Sequence, residues 1–310
     1  MPLLSLINEL PQRSKSLALL QAAECGQEAE SYILLEAGAN IQVTDDFGRT
    51  PLSLAASNGH EAVVKLLLAR DDIDPNCQDK FGATPLLLAA EYGSEAVVEL
   101  LLARGDVNPD PKSALGDTPL LQAATNGHEG VAKLLLAQDG VSLNPKGFHN
   151  RTPLLAAAER GHEAIVKLLL MKDGISLNST DIEGRTPLSW AAESGREGMV
   201  KLLLAQKGVD SNYKDSNGRT PLSWAAQWAR KTVVKLLLED GVDAKSKDKY
   251  GETPLWWAAK GWHEMREIYS SNTRLVGFMD FMDEIYKPVV QLLLGKDDDV
   301  DFDTIYLTFL

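Results

Sequence analysis

Four of the five histidines are followed directly by a glutamate, the residue pair that zinc hydrolases place on a helix. The four are His60, His128, His162 and His263. A zinc site of this type needs a second histidine four residues after the first, so that both rings lie on one helical face. No second histidine follows at that spacing. Because the pairs recur as part of a longer repeat, we predict structural turn residues rather than metal ligands.

Other sites that could do chemistry are incomplete. Cys25 and Cys77 form no C-x-x-C pair and have no evident histidine partner, and the chain contains neither a nucleophile elbow nor a phosphate-binding loop. The aspartates between Asp297 and Asp303 lack the central glycine and the closing glutamate of an EF-hand. We therefore expect a solvated acidic turn there and no cofactor.

Composition favours a basic or neutral partner. The 310 residues include 31 basic and 44 acidic ones, a net charge of −13, which repels nucleic acid and anionic lipid. No apolar run reaches about 18 residues, and the N-terminus lacks the basic flank and cleavage site of a secretory signal. We expect an intracellular, cytoplasmic protein, with a nuclear location left open and the oligomeric state undetermined.

The chain is built on an internal repeat. Thr-Pro-Leu recurs at intervals of 34 residues, with one interval of 33. A unit this short cannot bury an apolar face alone, so neighbouring units must cover one another in a stacked solenoid. Each repeat is named below by its threonine: Thr50, Thr84, Thr118, Thr152, Thr186, Thr220 and Thr253.

Each repeat predicts two antiparallel helices. In the Thr186 repeat, Thr186 can cap the first helix, and Pro187 suits the first helical position. The pair Ala191-Ala192 allows close helix packing, and Gly195 allows the positive φ of the turn between the helices. A Val-Val-Lys-Leu-Leu-Leu type of segment then forms a second helix whose lysine faces solvent.

These residues resemble the ankyrin repeat, whose signature is a turn, Thr-Pro-Leu-His-x-Ala and a later Gly-His. The resemblance runs from about Leu17 to Leu294, and the style of the repeats is similar to that of ankyrin arrays of filamentous fungi. The family's histidine after Thr-Pro-Leu is absent, whereas Gly-His survives in three repeats. The resemblance implies an all-α ankyrin-repeat solenoid of stacked helix-turn-helix units, with about eight helix pairs and short tips.

We predict one elongated domain in three parts. Residues 1–45 form an N-terminal capping helix pair, 46–248 form six regular repeats, and 249–310 form a last repeat with an acidic and apolar tail. The last repeat carries a 23-residue insertion at about 265–287, part of which predicts an amphipathic helix. It is either a cap over the end of the solenoid or a binding element.

All six tryptophans lie between Trp190 and Trp262. Trp190, Trp224 and Trp257 occupy a position that holds leucine in other repeats, so we expect them in the core. Trp228 and Trp262 replace polar or glycine residues at turns, and we expect them to be partly exposed. The turn after Trp228 has alanine in place of glycine, which requires an unfavourable left-handed conformation.

Proteins with ankyrin repeats generally bind partners through the tips and the exposed side of the first helices. Mapped onto this chain, that face carries aromatic and arginine side chains, the types enriched at interface hot spots. Its arginines form a basic rail, or each pairs with a neighbouring carboxylate. The predicted partner-binding residues are Phe47, Arg49, Phe81, Tyr92, Leu115, Phe148, Arg151, Arg160, Arg185, Arg219, Trp228 and Tyr250.

The sequence is compatible with two functions. The first is a non-catalytic scaffold that binds a protein segment along the concave groove. The second is an enzyme or small-molecule binder with an aromatic pocket formed by repeats five to seven and the insertion. That pocket would be lined by Trp228, Arg230, Trp262, His263, Tyr269 and Asp280. A deep cavity would favour the second function, and a helix packed over the last repeat would favour the first.

Overall fold

The computed structural model describes residues 8–270 and 278–295, without the side chains of 267–270 and 278–281. These residues contain α-helices and one short 3-10 turn but no β-strand. The chain divides into two compact units, Met1–Phe148 and His149–Leu310, and each is described by itself. The α-helices of the first unit are Gln12–Glu24, Glu28–Glu36, Pro51–Ser57, Glu61–Leu68, Pro85–Glu91, Glu95–Leu102, Pro119–Asn126 and Glu129–Leu136. Those of the second unit are Pro153–Arg160, Glu163–Leu170, Pro187–Glu193, Glu197–Leu204, Pro221–Gln227, Lys231–Glu239, Pro254–Ser270 and Phe278–Leu294.

The first helix of every repeat begins as the sequence predicts. Thr50 is extended and accepts a hydrogen bond from the backbone N–H of Ser53 at 3.2 Å. The threonines of the other six repeats do the same for the residue three positions later. Proline follows each threonine at the first helical position, where a missing N–H costs nothing. These caps set the register of the repeats.

The core of each unit lies between the paired helices. The paired alanines of the first helices, such as Ala55-Ala56 and Ala191-Ala192, have no solvent exposure, so neighbouring helices pack closely. The second helices bury one face; in Glu61–Leu68, Val63, Val64 and Leu67 are fully buried while Lys65 is exposed. The prediction that this lysine faces solvent is confirmed.

The turn between the two helices of a repeat has a left-handed residue. Glycine fills this position in most repeats, with φ of 70° at Gly59 and 71° at Gly195. In the Thr220 repeat Ala229 adopts φ 50°, which confirms the strained conformation predicted from its sequence.

Side chains at several of these turns also join a repeat to the preceding one within the same unit. His60 and His128 place Nε2 2.9 Å from the backbone carbonyls of Glu24 and Glu91, respectively, so their predicted structural role is confirmed. In the Thr186 and Thr220 repeats of the second unit an arginine replaces the histidine. Arg196 donates to the carbonyl of Arg160 at 3.1 Å. Arg230 likewise donates to the carbonyl of Glu193 at 3.0 Å. We call this series the carbonyl ladder.

The last repeat ends the carbonyl ladder differently. Its first helix extends to Ser270, and the helix Phe278–Leu294 packs against it and against Lys231–Glu239. The insertion thus lengthens both helices of the repeat within the described residues. The hydroxyl of Tyr286 donates to the carbonyl of Gln227 at 2.7 Å, which supplies the bond that histidine or arginine makes elsewhere. A Cβ at Gly261 would overlap that carbonyl and also crowd the Tyr286 hydroxyl.

The prediction that Trp262 is partly exposed is wrong. Its side chain is 4% exposed, because the helix Phe278–Leu294 covers it and Asp283 accepts a hydrogen bond from its Nε1 at 2.9 Å. Met282 and Tyr286 of the same helix are each 3% exposed and bury further apolar area against the repeat. Trp228 is 42% exposed, as predicted.

Candidate protein-interaction surface

A row of exposed apolar side chains marks the tips of the first unit, and we call it the apolar tip row. Its members are Phe47, Phe81, Leu115 and Phe148, which are 54%, 62%, 60% and 51% exposed. Backbone hydrogen bonds join the tips, from Lys80 N–H to the Phe47 carbonyl at 2.9 Å and from Ala114 N–H to the Phe81 carbonyl at 2.8 Å. The apolar side chains therefore follow one another at the repeat spacing, about 10 Å for packed helices.

The first helices of this unit contribute further exposed surface. Tyr92, at the end of the helix Pro85–Glu91, is 61% exposed. At the N-terminal end of the unit, an open cleft of about 820 Å³ lies between the helix Gln12–Glu24 and residues 40–46, which precede the Thr50 repeat. Leu17 and Val43 give it an apolar part, and Glu24 and Asp46 give it a charged part.

The predicted arginine rail is neutralised from within the chain. Arg49 makes two contacts of 2.8 Å with Asp45, and Arg151 lies 2.8 Å from Glu159. Arg185 pairs with Asp181 at 3.1 Å, and it also contacts Glu183. Each of these arginines therefore pairs with a carboxylate of this chain, which was the alternative to an unpaired basic rail.

The placement of Arg219 on an exposed surface is wrong, because its residue is only 5% exposed. Its guanidinium lies between the rings of Trp224 and Trp257, 3.5 Å and 3.6 Å from their centroids. Nη2 donates to Gln227 at 2.6 Å, while Nε makes no hydrogen bond. Burial lowers the pKa of Arg219 to about 10, which still leaves the group charged at neutral pH.

Arginine and tryptophan alternate through the second unit, and we call this arrangement the Trp–Arg stack. Arg185 lies 3.6 Å from the Trp190 ring and 5.8 Å from that of Trp224. Each tryptophan also donates its Nε1 hydrogen to an aspartate nine residues earlier: Trp190 to Asp181 at 3.1 Å, Trp224 to Asp215 at 3.0 Å, and Trp257 to Asp248 at 3.0 Å. Burial raises the pKa of the adjacent Glu193, and Arg185, Arg219 and Arg230 oppose that rise.

The expectation that three tryptophans lie in the core is confirmed for one of them. Trp257 is 8% exposed, and Trp190 and Trp224 are half-buried. The rings of Trp190 and Trp224 each pack on the guanidinium of the arginine just before the Thr-Pro-Leu of their own repeat. Trp257 instead packs on Arg219 of the preceding repeat and on the ring of Trp256, whose centroid lies 4.9 Å away. The co-occurrence of that arginine with the tryptophan in the Thr186 and Thr220 repeats was the available sequence signal.

Three more predicted residues of the second unit are accessible. Arg160 is exposed, Tyr250 is 75% exposed, and Trp228 is 42% exposed. Arg160 is the last residue of the helix Pro153–Arg160, Trp228 directly follows the helix Pro221–Gln227, and Tyr250 lies at a tip.

The described residues of the predicted aromatic pocket differ in their surroundings. Trp262 is buried as stated above, and its ring lies 6.4 Å from that of His263. Arg230 donates to the Glu193 carbonyl, and Trp228 is exposed on its turn. The side chains of Tyr269 and Asp280 lie outside the described residues.

The charge of the chain is concentrated in the first unit. Residues 1–148 hold 20 acidic and 10 basic side chains, a net of −10, whereas residues 149–310 hold 24 and 21, a net of −3. Glu91 lies within this acidic unit. Burial raises the pKa of Glu91, and the nearby carboxylates Asp117 and Asp79 raise it further.

The described residues provide neither a metal site nor a membrane-spanning helix. No group of three or more His, Cys, Asp or Glu side chains there could hold a metal ion. Among the same residues, every helix is too short or too polar to cross a membrane. The predicted acidic turn at Asp297 to Asp303 lies outside the described part of the chain.

The curated relatives share short segments with this chain. Rabankyrin-5 of mouse is 42% identical over 53 residues, which is 17% of this chain and 4% of that protein. Human Rabankyrin-5 is 42% identical over 55 residues, 18% of this chain and 5% of that protein. The matched segments are thus a small part of these relatives.

Solved structures and family profiles cover much more of the chain. The crystal structure of the human ASB11 ankyrin repeat domain matches with a TM-score of 0.64 and 28% identity, over 72% of this chain and 96% of that one. The family profile described as ankyrin repeats in three copies matches residues 4–79, 71–147, 142–215 and 207–269. With the capped helix pairs seen above, these matches show that the chain belongs to the ankyrin repeat family.

Proposed function

We propose that this chain is a non-catalytic scaffold that binds a segment of a protein partner along its tips and first helices. The observation that carries the proposal is the apolar tip row of the first unit. Its four side chains are each more than half exposed, although a monomeric protein gains nothing from exposing a regular series of large apolar groups.

Ankyrin repeats are generally modules for protein–protein interaction, and this chain consists largely of them. The apolar tip row adds a place where a partner could bury area. Tyr92 adds an aromatic side chain with few rotamers, a type that is enriched at interface hot spots.

A peptide-display experiment tests the proposal. The full chain is used to select binders from a random peptide library, and the affinity of each recovered peptide is measured for the double variant Phe47→Ala/Phe81→Ala. We expect a loss of affinity of at least tenfold. The matched control is Met171→Ala, which removes an apolar side chain that is 81% exposed at the end of a second helix. If no recovered peptide distinguishes the double variant from the control, the proposal is wrong.

The alternative of an enzyme or small-molecule binder is not supported by an observation of its own. Trp262 cannot serve as an open wall, because the helix Phe278–Leu294 covers it and Asp283 occupies its Nε1 hydrogen. Tyr286 is likewise engaged with the Gln227 carbonyl.

A further inference from the structure

Two repeats of this chain show how a cationic side chain binds a carboxylate on the first helix of a repeat, and we call this pair the internal template. The residue just before the Thr-Pro-Leu threonine lies beside the residue seven positions after that threonine. In the Thr152 repeat these are Arg151 and Glu159, whose charged groups lie 2.8 Å apart. In the Thr186 repeat the equivalent Arg185 and Glu193 are 3.5 Å apart. A carboxylate at the later position is thus matched by an arginine at the earlier one.

The Thr84 repeat keeps the carboxylate but lacks the arginine. Glu91 corresponds to Glu159 and Glu193, whereas Ala83 stands where Arg151 and Arg185 do. The next repeat has Asp117 at the arginine position, which reverses the charge there. No described basic side chain forms an ion pair with Glu91, so its charge is not compensated within the described residues.

A second carboxylate at this place also lacks its usual donor. The aspartate five residues before the threonine uses one oxygen to accept backbone N–H groups at the tip, as Asp79 does from Phe81 and Ala83 at 2.8 Å. In other repeats its second oxygen accepts from arginine or from a tryptophan Nε1, as Asp45 does from Arg49 at 2.8 Å. The Thr84 repeat has alanine and leucine at those donor positions, so neither donor exists for Asp79.

Apolar groups surround this acidic place. Ala83, Leu87 and Leu88 of the same repeat form a buried cluster, and Glu91 is itself partly buried, which raises its pKa. The tips on either side carry Phe81 and Leu115, which are 62% and 60% exposed. An arginine or lysine has the matching shape, since its long apolar stem can lie along apolar surface while its charged end reaches the carboxylates.

We propose that the partner segment is basic and apolar, and that it places an arginine or lysine among Glu91, Asp79 and Asp117 and apolar side chains on Phe81 and Leu115. This inference rests on the proposed function and names the class of partner. The net charge of −10 in the first unit favours the same partner, because it attracts basic segments over a longer range.

The peptides recovered from the display library are the probe. We expect most to contain arginine or lysine flanked by apolar residues, and each is compared with a counterpart whose basic residues are replaced by glutamine. The fluorescence polarisation of labelled peptides should show at least tenfold weaker binding for these counterparts. The variant Glu91→Gln should weaken binding of the original peptides by a similar factor. The matched control is Glu129→Gln, since it removes the same charge from an exposed second helix of the same unit.

A second variant tests the internal template directly. Ala83→Arg supplies the arginine that the Thr152 and Thr186 repeats have, so its side chain should pair with Glu91 and compete with the partner. We expect weaker binding of basic peptides together with an unchanged or higher melting temperature.

Two results separate this inference from the function on which it rests. Peptides that depend on Phe81 but lack basic residues, or that bind Glu91→Gln as well as the original chain, would overturn the basic-partner assignment alone. A library that yields no peptide dependent on Phe47 and Phe81 would overturn the proposed function itself.

Discussion

Arg219 shows how one side chain can be both charged and part of a core. The two tryptophan rings lie on opposite sides of its planar guanidinium, where the negative faces of the rings attract it. Desolvation of the charged group opposes this attraction, and it lowers the pKa of Arg219 to about 10.

We expect Arg219→Ala to lower the free energy of unfolding by about 2–4 kcal/mol, because two desolvated ring contacts and a hydrogen bond are lost. Arg219→Lys should recover little, since an ammonium group has no planar face. Arg49→Ala is the comparison, and its half-exposed ion pair with Asp45 should contribute about 1 kcal/mol or less. Urea midpoints from far-UV circular dichroism measure all three variants. Equal shifts for Arg49→Ala and Arg219→Ala would contradict the role given to the stack.

The raised pKa of Glu91 predicts how the stability of the folded chain changes with pH. Its pKa in the folded state is raised, so the ionised carboxylate destabilises the fold above that pKa, and the penalty disappears as the pH falls through it. Glu91→Gln should therefore be more stable than the original chain at pH 7, and the difference should vanish near pH 4, close to the unfolded pKa of about 4.3. Urea midpoints of both proteins at the two pH values test this. A variant that is less stable at pH 7 would show that Glu91 has a stabilising partner.

At the scale of the helices, the repeat pattern predicts much of the fold because its determinants are local. The threonine cap, the proline after it and the alanine pair act within a few residues, so the sequence reveals them directly. The left-handed Ala229 was predictable for the same reason.

The positions of Trp262 and Arg219 could not be predicted in this way. Trp262 is covered by a helix that begins 16 residues later, and Arg219 lies between rings of two different repeats. Their burial depends on contacts between elements, which the spacing within one repeat does not specify. Arg151 and Arg185 of the predicted rail pair with carboxylates at fixed repeat positions, and Arg219 is buried.

A substitution of Gly261 tests how closely the helix Phe278–Leu294 packs on the last two repeats. Any side chain at this position would collide with the carbonyl of Gln227 and crowd the Tyr286 hydroxyl. We expect Gly261→Ala to cost about 3 kcal/mol through steric strain and the weakened hydrogen bond. Gly105→Ala is the matched control, because no atom lies within 4 Å of its added Cβ, and it should change stability by less than about 1 kcal/mol. Far-UV circular dichroism during urea unfolding compares the two. A neutral Gly261→Ala would contradict the close packing of this helix.

At the scale of the whole molecule, the two compact units differ in both charge and aromatic content. The first has a net charge of −10 and no tryptophan, whereas the second has a net charge of −3 and all six tryptophans. Tryptophan fluorescence therefore reports on the second unit, while far-UV circular dichroism reports on both.

This separation allows a test of charge repulsion. Repeat arrays can unfold in parts, since each repeat contacts only its neighbours. Added salt screens repulsion between like charges, and 0.5 M NaCl shortens the screening length to about 4 Å. We expect salt to raise the urea midpoint seen by circular dichroism more than the midpoint seen by fluorescence. Equal shifts of the two midpoints would show that the charge imbalance has no effect on stability.

The hydrogen bonds of the carbonyl ladder restrict where repeats can be added to this array or removed from it. Where it is formed by histidine or arginine, the donor lies in the later repeat and the acceptor in the earlier one, so a repeat inserted in the middle brings both halves of the connection with it. At the C-terminal end the donor is Tyr286, which lies 59 residues beyond its acceptor, in the part that the insertion adds to the second helix of the Thr253 repeat. Duplication of interior repeats is thus compatible with these hydrogen bonds, whereas another copy added after the Thr253 repeat would have to pack against helices that are longer than those of the other repeats.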